Sequence, residues 1–297
     1  MIVITAPTGN IGRHLLTRLL EAAPASGEEL RVIVRDPARL SDEVRGRVEV
    51  VTGSHGDADV VDRAFEGADA VFWLVPPDSA LTPADGYSGF TLPAAKALAA
   101  HRVGHVVGVS ALGRGTPLAD RAGLVTASLA MDDLIADSGV AYRALANPSF
   151  FENLLEEAES IRDKGVFTDN VEADRKAPLV AVADIAAVAA KLLLDRSWTG
   201  VDSVPVLGPQ DMSPNDLARV MTEQLGRPVR YERQPLDELY STLIGYGLND
   251  SFVQGIVDMK RAKDEGLDAG VVRTPATASP TSFEQWCAKT LKPAVLS

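Results

Sequence analysis

Sulfur, positive charge and long apolar runs are all scarce in this chain. One cysteine, Cys287, occurs in 297 residues. That excludes an internal disulfide and fits a reducing cytoplasm, with Cys287 expected as a half-buried structural thiol and no metal site anticipated. Lys and Arg number 29 against 41 Asp and Glu, a net charge of −12. Phosphate backbones need clustered cations, so nucleic acid is excluded as a partner, and so is an anionic membrane surface. No apolar stretch approaches the roughly 20 residues that span a bilayer. The first apolar run has no basic region before it and reads as a strand rather than a signal peptide. Internal repeats and low-complexity segments are missing too. What remains, 46% hydrophobic and 24% charged residues, is an ordinary globular composition.

The first half alternates short Val/Ile-rich runs with helical patterns. The runs Ile2–Thr5, Leu30–Val34, Val48–Thr52, Ala70–Val75, His105–Ser110 and Ala141–Asn147 predict strands. Ile11–Ala22, Asp59–Phe65, Tyr87–His101 and Thr126–Asp137 predict helices. Strands alternating with helices imply an α/β fold with a doubly wound parallel sheet, whose ligands bind beyond the carboxyl ends of the strands. The boundaries expected are 1–153 for a nucleotide-binding unit and 154–297 for a smaller C-terminal α/β lobe that serves substrate or partner, with some elements shared between them. In that lobe a helix over Asp184–Leu194, a strand at Val204–Leu207, and a helix from the N-cap Ser213 to Gly226 are expected. A strand at Val229–Arg233, a helix opening at Pro235 and a helix over Ser251–Glu265 complete it.

The strand ends then carry the candidate chemistry. After the first strand comes Thr5-Ala6-Pro7-Thr8-Gly9-Asn10-Ile11-Gly12. A small-residue turn between strand and helix is the context of a phosphate loop, because the first N–H groups of the helix and its dipole attract an anion. Gly9 lets the backbone approach a pyrophosphate, and Gly12 lets the helix pack on the strand. Pro7 is expected to keep Ala6 extended. After the second strand, Arg35 suits the extra phosphate of NADP, while the neighbouring Asp36 can accept a ribose hydroxyl. Ser54 and His55 follow the third strand on the adenine side, His55 as a surface or packing residue. Leu74, Val75, Pro76 and Pro77 follow the fourth, with Tyr87 opening the next helix. Ser110 ends the fifth strand, where a hydroxyl can stabilise developing charge on a substrate oxygen. Asn147, Phe150, Phe151 and Asn153 follow the sixth.

The chain resembles the NmrA-like branch of the atypical short-chain dehydrogenase/reductases, in the NAD(P)-binding Rossmann superfamily. The residues that carry this are Thr5-x-x-Thr8-Gly9-Asn10-Ile11-Gly12, Val34-Arg35-Asp36-Pro37, Val109-Ser110-Ala111-Leu112-Gly113, Ser138-Gly139 and Asn147-Pro148-Ser149-Phe150-Phe151-Glu152-Asn153-Leu154. Val182-Ala183-Asp184-Ile185-Ala186, Leu207-Gly208-Pro209 and Leu225-Gly226-Arg227-Pro228-Val229 extend it over nearly the whole chain. Ala6 stands where this family's loop has its first glycine. The resemblance implies NADP(H) as preferred cofactor, with NAD(H) as the alternative. It implies cofactor contacts from Thr5, Ala6, Thr8, Gly9, Asn10, Ile11, Gly12, Arg35, Ser54, Leu74, Val75, Pro76, Asn147 and Phe150. Substrate contacts would come from Pro77, Tyr87, Phe150, Phe151 and Asn153.

Conventional members of the superfamily protonate a carbonyl with a Tyr whose Lys lies four residues on. Here those positions after Tyr87, Tyr142, Tyr231, Tyr240 and Tyr246 hold Thr91, Ala146, Pro235, Ile244 and Asp250. The lysine that NmrA-like reductases keep in the helix before Ser138-Gly139 falls at Ser128. Asp132 and Asp133 remain in that helix and are expected on its exposed face. The expectation is therefore a reductase of a flat, apolar quinone or carbonyl compound, with Ser110 as oxyanion donor. A non-catalytic NADP(H) sensor acting through a protein partner is the alternative, and a nucleotide-sugar epimerase ranks below both. A homo-oligomer is compatible with either reading.

Overall fold

Short runs of β-branched residues bury poorly as helices and pair well as strands. In the computed structural model, which describes every residue from Met1 to Ser297, they do pair. The elements in chain order are β1 (Ile2–Ile4), α1 (Asn10–Ser26), β2 (Leu30–Val34), α2 (Asp42–Arg45), β3 (Glu49–Thr52), α3 (Ala58–Phe65), β4 (Ala70–Trp73), α4 (Phe90–Ala100), β5 (His105–Ala111), α5 (Leu124–Ala136), β6 (Ala141–Asn147), β7 (Ser149–Phe150), α6 (Ala158–Lys164), β8 (Val166–Asp169), β9 (Ala177–Val180), α7 (Val182–Leu194), β10 (Val201–Pro205), β11 (Asp211–Met212), α8 (Pro214–Leu225), β12 (Arg230–Arg233), α9 (Leu236–Gly245), α10 (Asp250–Asp264), α11 (Phe283–Trp286) and α12 (Lys292–Leu296).

Seven strands form the main sheet in the order β3-β2-β1-β4-β5-β6-β10, and every neighbouring pair is parallel. Leu15 and Leu19 of α1 and Ile185 and Ala189 of α7 cover one face, against Ile4 and Phe72. On the other face Phe65 of α3, Leu98 of α4 and Ile135 of α5 pack against Val3, Val71 and Val106. Each such side chain taken wholly out of water contributes about 1.5–3 kcal/mol. This is the doubly wound Rossmann sheet expected from the alternation. No helix is long and apolar enough to cross a membrane.

β10 is a correction. The strand expected at Val204–Leu207 as part of the smaller lobe lies instead at Val201–Pro205, as an edge strand of the main sheet beside β6. Helix α7 also belongs to the main sheet, packing against α1. The chain thus leaves the sheet after β6, returns for α7 and β10, and leaves again. Outside it, β11-β9-β7 and β12-β8 form two small sheets. Their shared core holds Ile161, Phe167, Met221, Phe283, Trp286 and Cys287. Ser213 caps α8 in a reciprocal box with Asp216, and Gly226 ends it in the left-handed conformation. Cys287 is fully buried rather than half-buried, and burial pushes its thiol up to about 11.

The winding reverses between the paired strands β1 and β4, from which the chain proceeds outward in both directions. Thr5 closes that seam. Its Oγ1 donates to Phe72 O at 3.0 Å and accepts from Leu74 N at 3.0 Å. Ala6 then turns sharply, and here the expectation of an extended residue fails: its φ is +48°. The cause is the packing beneath it. Gly9 N–H donates back to Ala6 O at 3.0 Å, and a Cβ on Gly12 would lie 2.0 Å from that oxygen. Closing the loop over Gly12 outweighs the preference that Pro7 imposes.

His55 packs edge-on to Trp73 at 5.2 Å and Phe90 at 4.9 Å between ring centroids, and its Nε2 is bonded to Leu74 O at 2.9 Å. This is the packing role expected of it. Burial, opposed by that hydrogen bond, lowers its pKa to about 4.

Two predictions test these features. Ala6→Gly removes the left-handed strain and should stabilise the fold by roughly 0.5 kcal/mol, after allowing for the added freedom of the unfolded chain; a lowered thermal midpoint would contradict the strain. The folded state keeps His55 neutral where the unfolded chain protonates it, so its contribution is present above pH 6.5 and lost as pH falls towards 4. Denaturant titrations at pH 7 and 4.5 should therefore differ by about 2 kcal/mol less in His55→Gln than in the parent. An unchanged difference would mean that His55 is not held neutral.

Candidate functional site

Helix α1 begins with donors and nothing to satisfy them. Gly9 is its N-cap, no side chain caps it, and its first turn holds no acidic residue. The N–H groups of Asn10, Ile11 and Gly12 are thus left for an external acceptor. Gly9 faces a cleft of about 640 Å³ together with Ala6, Pro7 and Thr8. Asn10 is exposed at its mouth, while Thr5, Ile11 and Gly12 are buried under the loop and shape it rather than line it.

The same cleft is lined by Arg35, Asp36 and Arg39 after β2, Ser54 and His55 after β3, and Pro76 and Pro77 after β4. Arg39 was missed in the sequence. The spacing Arg35-x-x-x-Arg39 is the signal, since the short turn over Pro37–Arg39 brings both back to one edge. Asp36 caps that turn by accepting from Ala38 N at 3.0 Å, which engages one oxygen of its carboxylate. The arginines on either side are paired, Arg31 with Glu49 and Arg45 with Asp42. Arg35 and Arg39 instead face the cleft with no carboxylate partner. Ser54 Oγ accepts from Gly56 N at 3.2 Å and holds its own turn.

Further along the strand ends the expected residues separate. Ser110 is buried, and its hydroxyl donates to Asp132 Oδ2 at 2.5 Å. Asp132 also accepts from Tyr142 OH at 2.6 Å and lies 3.5 Å from Arg114. The one proton of Ser110 is committed, which removes the oxyanion donor expected at this position. Asp132 is likewise not on an exposed face. Burial holds its carboxyl above the usual range, opposed by the bonds from Ser110, Tyr142 and Arg114. The group ties α5 to the end of β5 and to Tyr142 at the start of β6, and had no local sequence signal, because its members lie on three separate elements.

Asn147 lies at the end of β6, buried, with Nδ2 donating to Ser110 O at 3.1 Å and Leu145 O at 2.7 Å. Its Oδ1 is buried without a partner. Phe150 is half-buried beside the α1/α7 core. Phe151, expected to wall the pocket, is a correction: it stacks within the core of the smaller lobe, 5.3 Å from Phe283 and 5.6 Å from Trp286. Adjacent residues point to opposite sides of an extended chain, so only one of the pair can face the sheet edge. Asn153 is exposed. Tyr87 opens the turn before α4, and burial alone pushes its phenol up to about 12. Leu74 is half-buried and Val75 buried beside the seam.

An uncapped helix N-terminus, two unpaired arginines and an orphaned buried amide oxygen lie along one edge of the sheet. They fit a ligand with a pyrophosphate, a further phosphate and an amide donor, as a nicotinamide dinucleotide phosphate has.

Comparison with known proteins agrees. The chain is 31% identical to the (4-alkanoyl-5-oxo-2,5-dihydrofuran-3-yl)methyl phosphate reductase of Streptomyces griseus, covering 97% of each. It is 28% identical to quinone oxidoreductase 2 of Escherichia coli, covering 91% of this chain and 89% of that one. In fold it is similar to the crystal structure of an NADPH-dependent quinone oxidoreductase from Escherichia coli complexed with NADPH, with a TM-score of 0.78 and 24% identity over 96% of this chain and 98% of that one. Residues 7–196 match the NAD(P)H-binding family, and the chain is a member of that family.

Proposed function

We propose that the protein is an NADP(H)-dependent reductase of the NmrA-like type, acting on a small carbonyl or quinone compound. The observation that carries the cofactor half is the meeting of the uncapped start of α1 with Arg35 and Arg39 in one cleft. The reductase half is supported by the Streptomyces griseus and Escherichia coli relatives, a furanone phosphate reductase and a quinone oxidoreductase by name. A protein of this kind is compatible with a cytoplasmic setting, where its single thiol stays reduced.

Roles follow from position. Backbone N–H groups from Asn10 to Gly12 would hold the pyrophosphate, with Gly9 giving it room to approach, Thr5 fixing the loop and Thr8 at its rim. Arg35 and Arg39 bracket the 2′-phosphate, and paired N–H donors on each guanidinium match its oxygens. Ser54 borders the adenine side. Asn147 Oδ1 accepts from the carboxamide, and Pro76, Pro77, Tyr87 and Phe150 bound the reacting end. When bound, the reduced nicotinamide supplies a hydride. Ser110 contributes through Asp132 by fixing the end of β5. We assign cofactor binding to residues 1–153 with α7 and β10 added, and substrate binding to the rest of 154–297.

Fluorescence titration should show that Arg35→Ala and Arg39→Ala each weaken NADPH binding about tenfold while NADH binding changes little. Equal losses for both cofactors would remove the 2′-phosphate assignment. A Cβ at Gly9 starts 3.3 Å from Ala6 O, a tight contact to which the turn must yield by a few tenths of an ångström. Gly9→Val should weaken both cofactors at least tenfold, as an order-of-magnitude figure, in a chain whose cooperative melting shows that it still folds. Unchanged affinity would mean that the pyrophosphate lies elsewhere. For the reaction, NADPH loss is followed with a panel of quinones and carbonyl compounds. Binding of NADPH without its oxidation by any of them would sink the reductase reading.

A further inference from the structure

A second, smaller cavity of about 70 Å³ lies where the lobe meets the sheet edge, and its lining includes Ser149, Asp169, Lys260, Lys263 and Asp268. Ser149 follows the end of β6 by two residues. Leu267, next to Asp268, is wedged against the turn after β5, where a Cβ on Gly113 would lie 2.7 Å from its Cδ1. Lys263 and Asp268 are thereby held at the carboxyl ends of β5 and β6, the edge where open parallel sheets take their ligands.

Lys263 Nζ bonds Asp268 Oδ2 at 2.5 Å, with side-chain exposures of 14% and 5%. Asp268 Oδ1 is buried and has no partner. An ammonium carries three donors, and Asp268 is the hydrogen-bond partner recorded for this one. A buried ion pair is costly to keep, and more so when its lone pairs and protons are left over. The other buried carboxylate at this edge, Asp132, is saturated by Ser110, Tyr142 and Arg114. The cations around the cavity are all paired, Lys260 with Asp169, Lys263 with Asp268, and Arg175 with Asp264, a carboxylate outside the lining that is shared with Arg233, itself also paired with Glu172. A neutral ligand with both a donor and an acceptor suits such a site better than an anion.

We propose that this cavity is the polar end of the substrate site, and that it selects compounds carrying an O–H or N–H donor beside a carbonyl group. Lys263 Nζ donates to the carbonyl oxygen, and Asp268 Oδ1 accepts from the neighbouring donor. The volume is about that of two liquid waters, enough for this edge of a molecule while the rest reaches out towards the sheet. That the ligand is the electron acceptor rests on the reductase reading; that the pair binds a donor–acceptor edge does not.

The test uses 2-amino-1,4-naphthoquinone and 2-methyl-1,4-naphthoquinone, which are close in size and differ in one donor group beside a carbonyl. Each is titrated calorimetrically into the full chain, with and without NADP+, so that no turnover intervenes. The amino compound should bind about tenfold tighter. In Lys263→Met/Asp268→Leu, where apolar side chains of similar volume replace the pair, the ratio should fall to near one while NADP+ affinity and melting temperature hold. Should the double variant not fold, Asp268→Asn replaces it and should lower the ratio several-fold.

Equal affinities in the parent, including no measurable binding of either compound, overturn the proposal, as does a preference that survives in the folded variant. Parallel NADPH-oxidation assays separate the two readings. Preference without turnover supports the subsite and removes the reductase reading, whereas turnover without preference does the reverse.

Discussion

Two hydrogen bonds to one hydroxyl, that of Thr5, hold together the place from which the chain winds in opposite directions. Strands β1 and β4 are neighbours in space but are separated in sequence by two full strand–helix units. The helices that follow them leave on opposite faces, so a crevice opens above the seam. Within it Leu74 N has already left the strand ladder, and the Thr5 hydroxyl supplies its acceptor. With the end of β1 pinned, the chain must turn at once to start α1. That forces Ala6 into the left-handed region and α1 close under its carbonyl, where only a glycine fits at position 12. The uncapped start of α1 is thereby set beside the crevice, which its N-cap Gly9 lines. The position of that helix end follows from the seam rather than being added to it.

Much of this was legible because a parallel sheet buried on both faces writes its strands as continuous apolar runs. Ile2–Ile4, Leu30–Val34 and Ala70–Trp73 contain almost nothing else, and a polar residue or a proline ends each run, at Thr5, Arg35 and Pro76. The strand–turn–helix at residues 5–12 and the strand-end position of Arg35 were readable for the same reason, as both follow a strand directly. Features that depend on a distant partner were not readable. Val201–Pro205 has the local pattern of any edge strand, and only pairing with β6 assigns it to the main sheet. A hydroxyl at Ser110 is visible in the sequence, but whether its proton is free depends on Asp132, a helix away. Phe150 and Phe151 are equivalent as letters, and only the path of the backbone decides which enters the lobe core. Ala6 shows the converse, a local rule correctly read and then overridden by packing.

Three carboxylates near the strand ends illustrate how differently burial can be resolved. Glu152 accepts from Val182 N at the start of α7 and from Trp286 Nε1, joining the lobe core to a helix of the main sheet. Burial still leaves its carboxyl above the usual range, opposed by those bonds. Asp132 is surrounded by two hydroxyls and a guanidinium and works as a structural node. Asp268 has one cation and one idle oxygen. Saturated groups of this kind stabilise an arrangement, and an unsaturated one invites a ligand to complete it.

Charge pairing also separates the two ends of the site. The protein carries a net charge of −12, so a polyanionic dinucleotide approaches against a repulsive mean field. That field is screened over about 8 Å at physiological ionic strength, and inside the cleft the nearest groups decide. Those groups are the start of α1, Arg35 and Arg39, all without acidic partners, while the two carboxylates that line the cleft, Asp36 and Asp78, each accept from a backbone N–H two residues on, that of Ala38 and of Ala80. At the lobe end the cations are as numerous, but each is matched by an aspartate, with Asp264 shared between Arg175 and Arg233. Unmatched cations draw in an anion, whereas matched pairs leave a neutral surface of donors and acceptors. An acidic protein can in this way leave one region attractive to a highly charged cofactor while another, equally rich in ionic groups, stays close to neutral.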